Sequence, residues 1–119
     1  MLLLRDSQNM PEKLTFKLIA RDEQHSNFDW MNIDCGDIRV GKVRGLISGK
    51  KLTIHSINIF PEFEGHGYAK ETIEMFKAHF DAITADRVRY TAIGFWEKMG
   101  FDADNNGNYV WGQGGPGVE

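Results

Sequence analysis

Residues 52–80 constrain this chain more than any other stretch. They read as a buried strand, a bend at Pro61, a Gly65-His66-Gly67 loop and a long amphipathic helix. In the strand, Leu52, Ile54, Ile57, Ile59 and Phe60 place apolar side chains on both faces, the pattern of a central strand covered on two sides. In the helix, Ala69, Ile73, Phe76 and Phe80 recur at steps of four and three, so one stripe must face a core. A glycine loop feeding a helix gathers backbone N–H groups that have no intrahelical acceptor, which makes an anion site. A helix after a strand implies a crossover to a parallel neighbour, and Ala82-Ile83-Thr84-Ala85 supplies that short strand.

The rest of the chain is organised around this unit. Residues 14–21 alternate as a half-buried strand with Leu14, Phe16 and Leu18 on one face. Residues 22–27 are polar and loop-like, and residues 28–33 form a second strand closed by a turn at Asp34-Cys35-Gly36-Asp37. Residues 38–47 form a third strand, in which Gly41 and Gly45 mark a bulge or a close backbone approach. Ser48-Gly49-Lys50-Lys51 turns the chain into the central strand. Past the parallel strand, Asp86 is expected to cap a helix whose apolar side is Val88, Ala92, Phe95, Trp96 and Met99, with Gly100 as its left-handed end. Asn105-Asn106-Gly107-Asn108 then turns a hairpin. The expected fold class is α/β (α+β): a mixed, mostly antiparallel sheet with one parallel crossover, an edge hairpin and two main helices. One domain is expected over residues 1–111, with an irregular lead-in at residues 1–13 and a flexible Gly-rich tail at residues 112–119.

Composition excludes several classes. A formal net charge of −3 argues against general nucleic-acid binding, which needs a strong basic footprint. The single cysteine, Cys35, excludes an internal disulfide framework and a cysteine zinc cluster, and points to a reducing compartment. The four histidines, His25, His55, His66 and His79, lack metal-ligand spacing, so no metal is expected. Met1-Leu2-Leu3-Leu4 is too short for a signal core and no apolar run is long enough to span a membrane, so the expected location is cytoplasmic.

Two segments carry a family resemblance. Ile57-Asn58-Ile59-Phe60-Pro61-Glu62-Phe63-Glu64-Gly65-His66-Gly67-Tyr68-Ala69-Lys70 resembles motif A of the GNAT superfamily of acyl-CoA-dependent N-acyltransferases. Ala92-Ile93-Gly94-Phe95-Trp96-Glu97-Lys98-Met99-Gly100-Phe101 resembles its motif B, and the two stand in the family's order. The resemblance implies a V-shaped splay between two central strands, with acetyl-CoA as cosubstrate. The main chain of Ile57 and Ile59 would pair with the pantetheine arm. Glu64, Gly65, His66, Gly67, Tyr68, Ala69 and Lys70 would surround the pyrophosphate, the short Ala82–Ala85 strand would form the other wall, and Phe95 and Trp96 of motif B would join the coenzyme site. The implied reaction is transfer of an acetyl group to a primary amine, on a peptide or protein among other acceptors, by direct attack in a ternary complex.

This sequence departs from the family pattern at three places. Glu64 stands where the family has Gln or Arg, so weaker coenzyme binding is expected, offset in part by His66 and Lys70. Trp96 stands where the family's thiolate acid, a tyrosine, is usual, which leaves Tyr90 or Tyr68 as proton donors. Residues 22–27 are too few for the two helices that GNAT domains carry after the first strand, so the acceptor side is open, or completed by a second subunit in a homodimer or by a bound macromolecule. For the base, the candidates are His55, whose ordinary pKa near 6.5 suits the task, and Glu62. The sequence slightly favours His55 as a core histidine bonded to a backbone group, and a Glu after Pro, as at Glu62, is more often a solvated loop residue. The other function class is a catalytically degenerate GNAT-like module that binds acyl-CoA or a protein partner without turnover.

Overall fold

A computed structural model describes residues 13–112, so nearly all of the expected lead-in and tail lies outside the described residues. The strands are β1 (Leu14–Ile19), β2 (Asp29–Cys35), β3 (Ile38–Ser48), β4 (Lys51–Ile59), β5 (Ala82–Ala85), β6 (Asp102–Ala103) and β7 (Tyr109–Gly112). The helices are α1 (Tyr68–His79) and α2 (Ile93–Lys98), each preceded by a short 3-10 turn, at Pro61–Phe63 and Tyr90–Ala92. One seven-stranded sheet runs in the order β1-β2-β3-β4-β5-β7-β6. Only β4 and β5 are parallel. The meander, the single crossover and the edge hairpin therefore stand as the residue pattern predicts.

The stripe on α1 is what closes the core. Ile73 and Phe76 are fully buried against the sheet, and each such burial contributes about 1.5–3 kcal/mol. Phe16 of β1 meets Phe76 edge-on at 5.3 Å, and also meets His79, the last residue of α1, at 5.1 Å. Leu18 shares the face of Phe16 but lies past that end of the helix, which is why it stays 43% exposed. Thr72 is buried as well, although the apolar pattern does not count it. Its hydroxyl donates to Tyr68 O at 2.8 Å, so no polar atom is stranded.

Lys77 ties α2 to α1. Its ammonium donates to Met99 O at the end of α2 and sits over the rings of Phe101 and Trp111. A cation there also meets the negative end of the helix dipole. Gly100, at φ +88°, ends the helix as expected. The opposite face of the sheet is half-exposed, with Trp30, Leu46 and Val110 partly open to solvent. β1 and β2 are joined by a tight turn, held by Glu23 N–H to Ala20 O and Ser26 N–H to Arg21 O.

Gly41 and Gly45 are required by close approach. A Cβ on Gly45 would lie 2.2 Å from Thr53 O, and one on Gly41 would lie 2.5 Å from Asn58 O.

The second helix differs from expectation. Asp86 does not cap it, and helical geometry begins only after Arg89. The intervening turn is pinned to the final hairpin: Arg87 N–H donates to Asn108 Oδ1 at 2.9 Å and Val88 N–H to Gly107 O at 2.9 Å. Arg87 is left-handed there, at φ +52°, which is incompatible with a helix starting at residue 87.

Candidate active site

The site is built by a change of phase in β4. β4 and β5 pair over four residues only, from Lys51 opposite Ala82 to Ile54 opposite Ala85. Asp86 N–H donates to Ile54 O at 2.9 Å, and beyond that point the two strands part. On the other edge β4 stays paired with β3, but the register skips one residue: Ile54 faces Gly45, Ser56 faces Arg44, and His55 is the extra residue of a bulge. Alternate residues of an antiparallel strand turn their main-chain groups to opposite edges. Phe60 N–H donates to Val40 O at 2.8 Å, so the main chains of Asn58 and Ser56 also face β3. Those of Ile57 and Ile59 consequently face the gap. Exposed N–H and C=O groups on a buried strand are costly until something pairs with them.

The gap is a cavity of about 350 Å³. Ile54, Ile57, Ala85, Ala92 and Trp96 form its apolar wall, and His55, Asp86, Arg87 and Arg89 its polar one. Trp96 is 5% exposed and is wedged edge-on between Phe95 at 5.0 Å and Phe101 at 4.8 Å. Its place on the wall is thus set by aromatic packing.

At the far end of β4 the chain turns through Pro61–Phe63 into the glycine loop. Gly65 and Gly67 have φ of +87° and +81°, a region in which residues with a Cβ are strained. Nothing lies within 4 Å of where a Cβ would sit on either, so conformation and not space is what demands glycine. The first helical bond of α1 is Glu71 N–H to Gly67 O at 3.0 Å. The N–H groups of Tyr68, Ala69 and Lys70 are therefore left without intrahelical acceptors, at the positive end of a twelve-residue helix.

No family model matches the sequence, and no curated protein matches it. Solved structures do match. An acetyltransferase from Thermus thermophilus superposes with a TM-score of 0.59 at 18% identity, over 93% of this chain and 73% of that one. An acetyltransferase of the GNAT family from Bacteroides thetaiotaomicron gives 0.59 at 17% identity, over 78% and 66%. The Bacillus subtilis N-acetyltransferase YlbP, solved in complex with coenzyme A, gives 0.56 at 19% identity, over 95% and 80%. The chain has the GNAT fold.

Within that GNAT fold, the predicted site residues divide. Ile57 and Trp96 line the cavity, and the main chain of Ile59 faces the gap beside it. Gly65, His66, Gly67, Tyr68 and Ala69 form the loop and the first turn of α1, with the His66 ring tilted against Tyr68 at 5.7 Å. Glu64 is exposed at the loop's start, and Lys70 lines a second cavity with Gly67 of the loop, Lys13, Glu71 and Glu74. Glu62 is exposed in the 3-10 turn. Tyr90 is 88% exposed and is not among the residues lining the cleft. Tyr68 donates to Cys35 Sγ at 3.8 Å, and that bond together with burial raises its pKa above the ordinary 10.0.

One residue of the cleft was misread from sequence. Asp86 Oδ2 accepts from His55 Nδ1 at 3.0 Å, joining the bulge of β4 to the end of β5. This pairing fixes the neutral imidazole as the Nδ1–H tautomer, with the lone pair on Nε2. Nε2 is enclosed and has no hydrogen-bond partner among the described residues, and Phe28 packs edge-on to the ring at 5.1 Å. Residues 31 positions apart carry no local signal of such a pair.

Proposed function

We propose that this protein is an N-acetyltransferase that moves an acetyl group from acetyl-CoA to a primary amine by direct attack in a ternary complex. The observation that carries the reading is the splay itself: main chain of Ile57 and Ile59 turned to the gap, on the strand that runs on into the Gly65–Gly67 loop. An extended amide-bearing arm would satisfy those strand groups, and the free N–H groups at the start of α1 would receive its pyrophosphate.

The chemistry requires an ammonium to lose its proton, its nitrogen to bond to the thioester carbon, and the C–S bond to break. A main-chain N–H near Ile59 polarises the thioester carbonyl. His55, oriented by Asp86, takes the ammonium proton at Nε2 through a water, a step that requires the enclosed Nε2 to open to the cavity, and the departing thiolate recovers a proton by the same route. Trp96 is an indole donor and not a practical acid, Tyr90 is exposed outside the cavity lining, and Tyr68 is bonded to Cys35. The acceptor is a peptide or protein amine, consistent with the short β1–β2 turn and the half-exposed sheet face, which also suits a homodimer. A cytoplasmic location accords with the lone cysteine.

A second reading is a GNAT-like module that binds acyl-CoA, or only a protein partner, without turnover. Glu64 at the loop and the absence of a tyrosine at residue 96 favour it. Thiol release from acetyl-CoA with a panel of amines and peptides decides between the two. Release supports the enzyme. A thermal shift with acetyl-CoA but no release supports the module. Neither response rejects the acyl-CoA reading altogether.

A further inference from the structure

The glycine loop of this chain and its approach carry no net positive charge. Glu62 and Glu64 are acidic and exposed, and Lys70 shares its cavity with Gly67, Glu71 and Glu74. Across the gap the balance is opposite. Arg87 and Arg89 line the same cavity as Ile57, and its one carboxylate, Asp86, is engaged by His55.

We propose that the turn between β5 and α2 supplies the cationic half of the coenzyme site, with Arg87 and Arg89 binding phosphate of acyl-CoA. The inference rests on the acyl-CoA reading above. Among the described residues, ion pairs engage Arg21, Arg39, His55 and Lys77, and neither Arg87 nor Arg89 has an anionic partner. The turn is also held rigidly. Arg87 keeps a left-handed backbone that glycine or asparagine would adopt more readily, and bonds to Asn108 and Gly107 hold the turn in place. β4 and β5 are parallel, so this turn and the glycine loop follow the same ends of their strands. Both arginines are exposed, so their guanidinium groups can reach from the cavity wall toward phosphate at its mouth.

Calorimetric titration of the wild type, Arg89→Ala and Arg87→Asn with coenzyme A, dephospho-coenzyme A and pantetheine tests this. Asparagine tolerates the left-handed backbone at residue 87, and Arg89 is exposed with an ordinary extended backbone, so both variants should fold. The expected result is about a tenfold rise in Kd for coenzyme A per arginine, with pantetheine affinity unchanged. A loss that disappears with dephospho-coenzyme A assigns the 3′-phosphate, and one that persists assigns the pyrophosphate. Unchanged coenzyme A affinity in both variants overturns the proposal while leaving the acyl-CoA reading intact, as does an equal loss with pantetheine. A wild type that binds none of the three overturns both.

Discussion

Replacing Gly45 with alanine tests the link between the bulge and the cleft. Gly45 faces Ile54 immediately before the register skips His55. A methyl group there would sit 2.2 Å from Thr53 O and 3.3 Å from its carbon, and both are main-chain atoms that cannot rotate away. Relief requires β3 and β4 to separate by roughly 1 Å, and forcing one methylene-sized group into such packing costs about 1–3 kcal/mol. Alanine also restricts the unfolded chain, which returns about 0.4–1 kcal/mol. The net loss is up to about 2.6 kcal/mol, or up to roughly 10 °C in Tm for a domain of this size. Urea unfolding followed by tryptophan fluorescence should show a lower midpoint with an unchanged slope. Because the bulge sets which residues of β4 face the gap, coenzyme A should also bind more weakly. Gly94→Ala is the control: it lies inside α2, nothing occupies the space within 4 Å of its Cβ position, and it should stabilise the protein by about 0.5–1 kcal/mol. A Gly45→Ala protein as stable as the wild type, with full coenzyme affinity, would refute the reasoning.

Gly67→Val should weaken coenzyme A binding severely while circular dichroism still reports a folded protein, since its φ is +81° and its side chain would meet open space; retained affinity in a titration counts against the phosphate loop. His55→Ala should lower kcat at pH 7 by about 100-fold or more with little change in coenzyme Kd, and an unchanged kcat rejects it as the base. Asp86→Asn should alter the tautomer of His55 read by nitrogen NMR, and an unaltered spectrum would show that the 3.0 Å bond does not orient the ring. Asp104 accepts from the N–H groups of Asn106 and Asn108 and from the Asn108 side chain, and these bonds hold its pKa below the ordinary 3.8. A depressed carboxyl binds fewer protons folded than unfolded, so its stabilisation is present above pH 3.8 and lost as pH falls through the folded value. The Tm gap between wild type and Asp104→Ala should therefore be widest near neutrality and close in acid.

How much of this was legible beforehand depended on the range of the interaction that decides each feature. The strand–loop–helix unit, the left-handed end at Gly100 and the Asn105–Asn108 hairpin turn rest on contacts within a few residues, so period and turn chemistry reveal them. The exposed Leu18 was not legible, because alternation says which face a side chain takes but not where the covering helix ends. The same holds for Thr72, whose burial depends on a bond to Tyr68 O that no apolar pattern records.

Asp86 shows the limit most clearly. Its position before an apolar periodic segment is that of a helix cap, and local preference favours that assignment. Tertiary bonds from Arg87 and Val88 to the last hairpin hold the turn open and delay the helix, which frees the carboxylate for His55. From the sequence alone, this protein was determined to have a mixed sheet with a glycine loop opening a helix at the end of its central strand, because apolar period and backbone permissiveness are local properties. Only the tertiary structure decided that a bulge at His55 turns the main chain of Ile57 and Ile59 to the gap, and that Asp86, Arg87 and Arg89 line one cavity with Ile57. Strand register and the ends of helices are settled by partners far away in the chain.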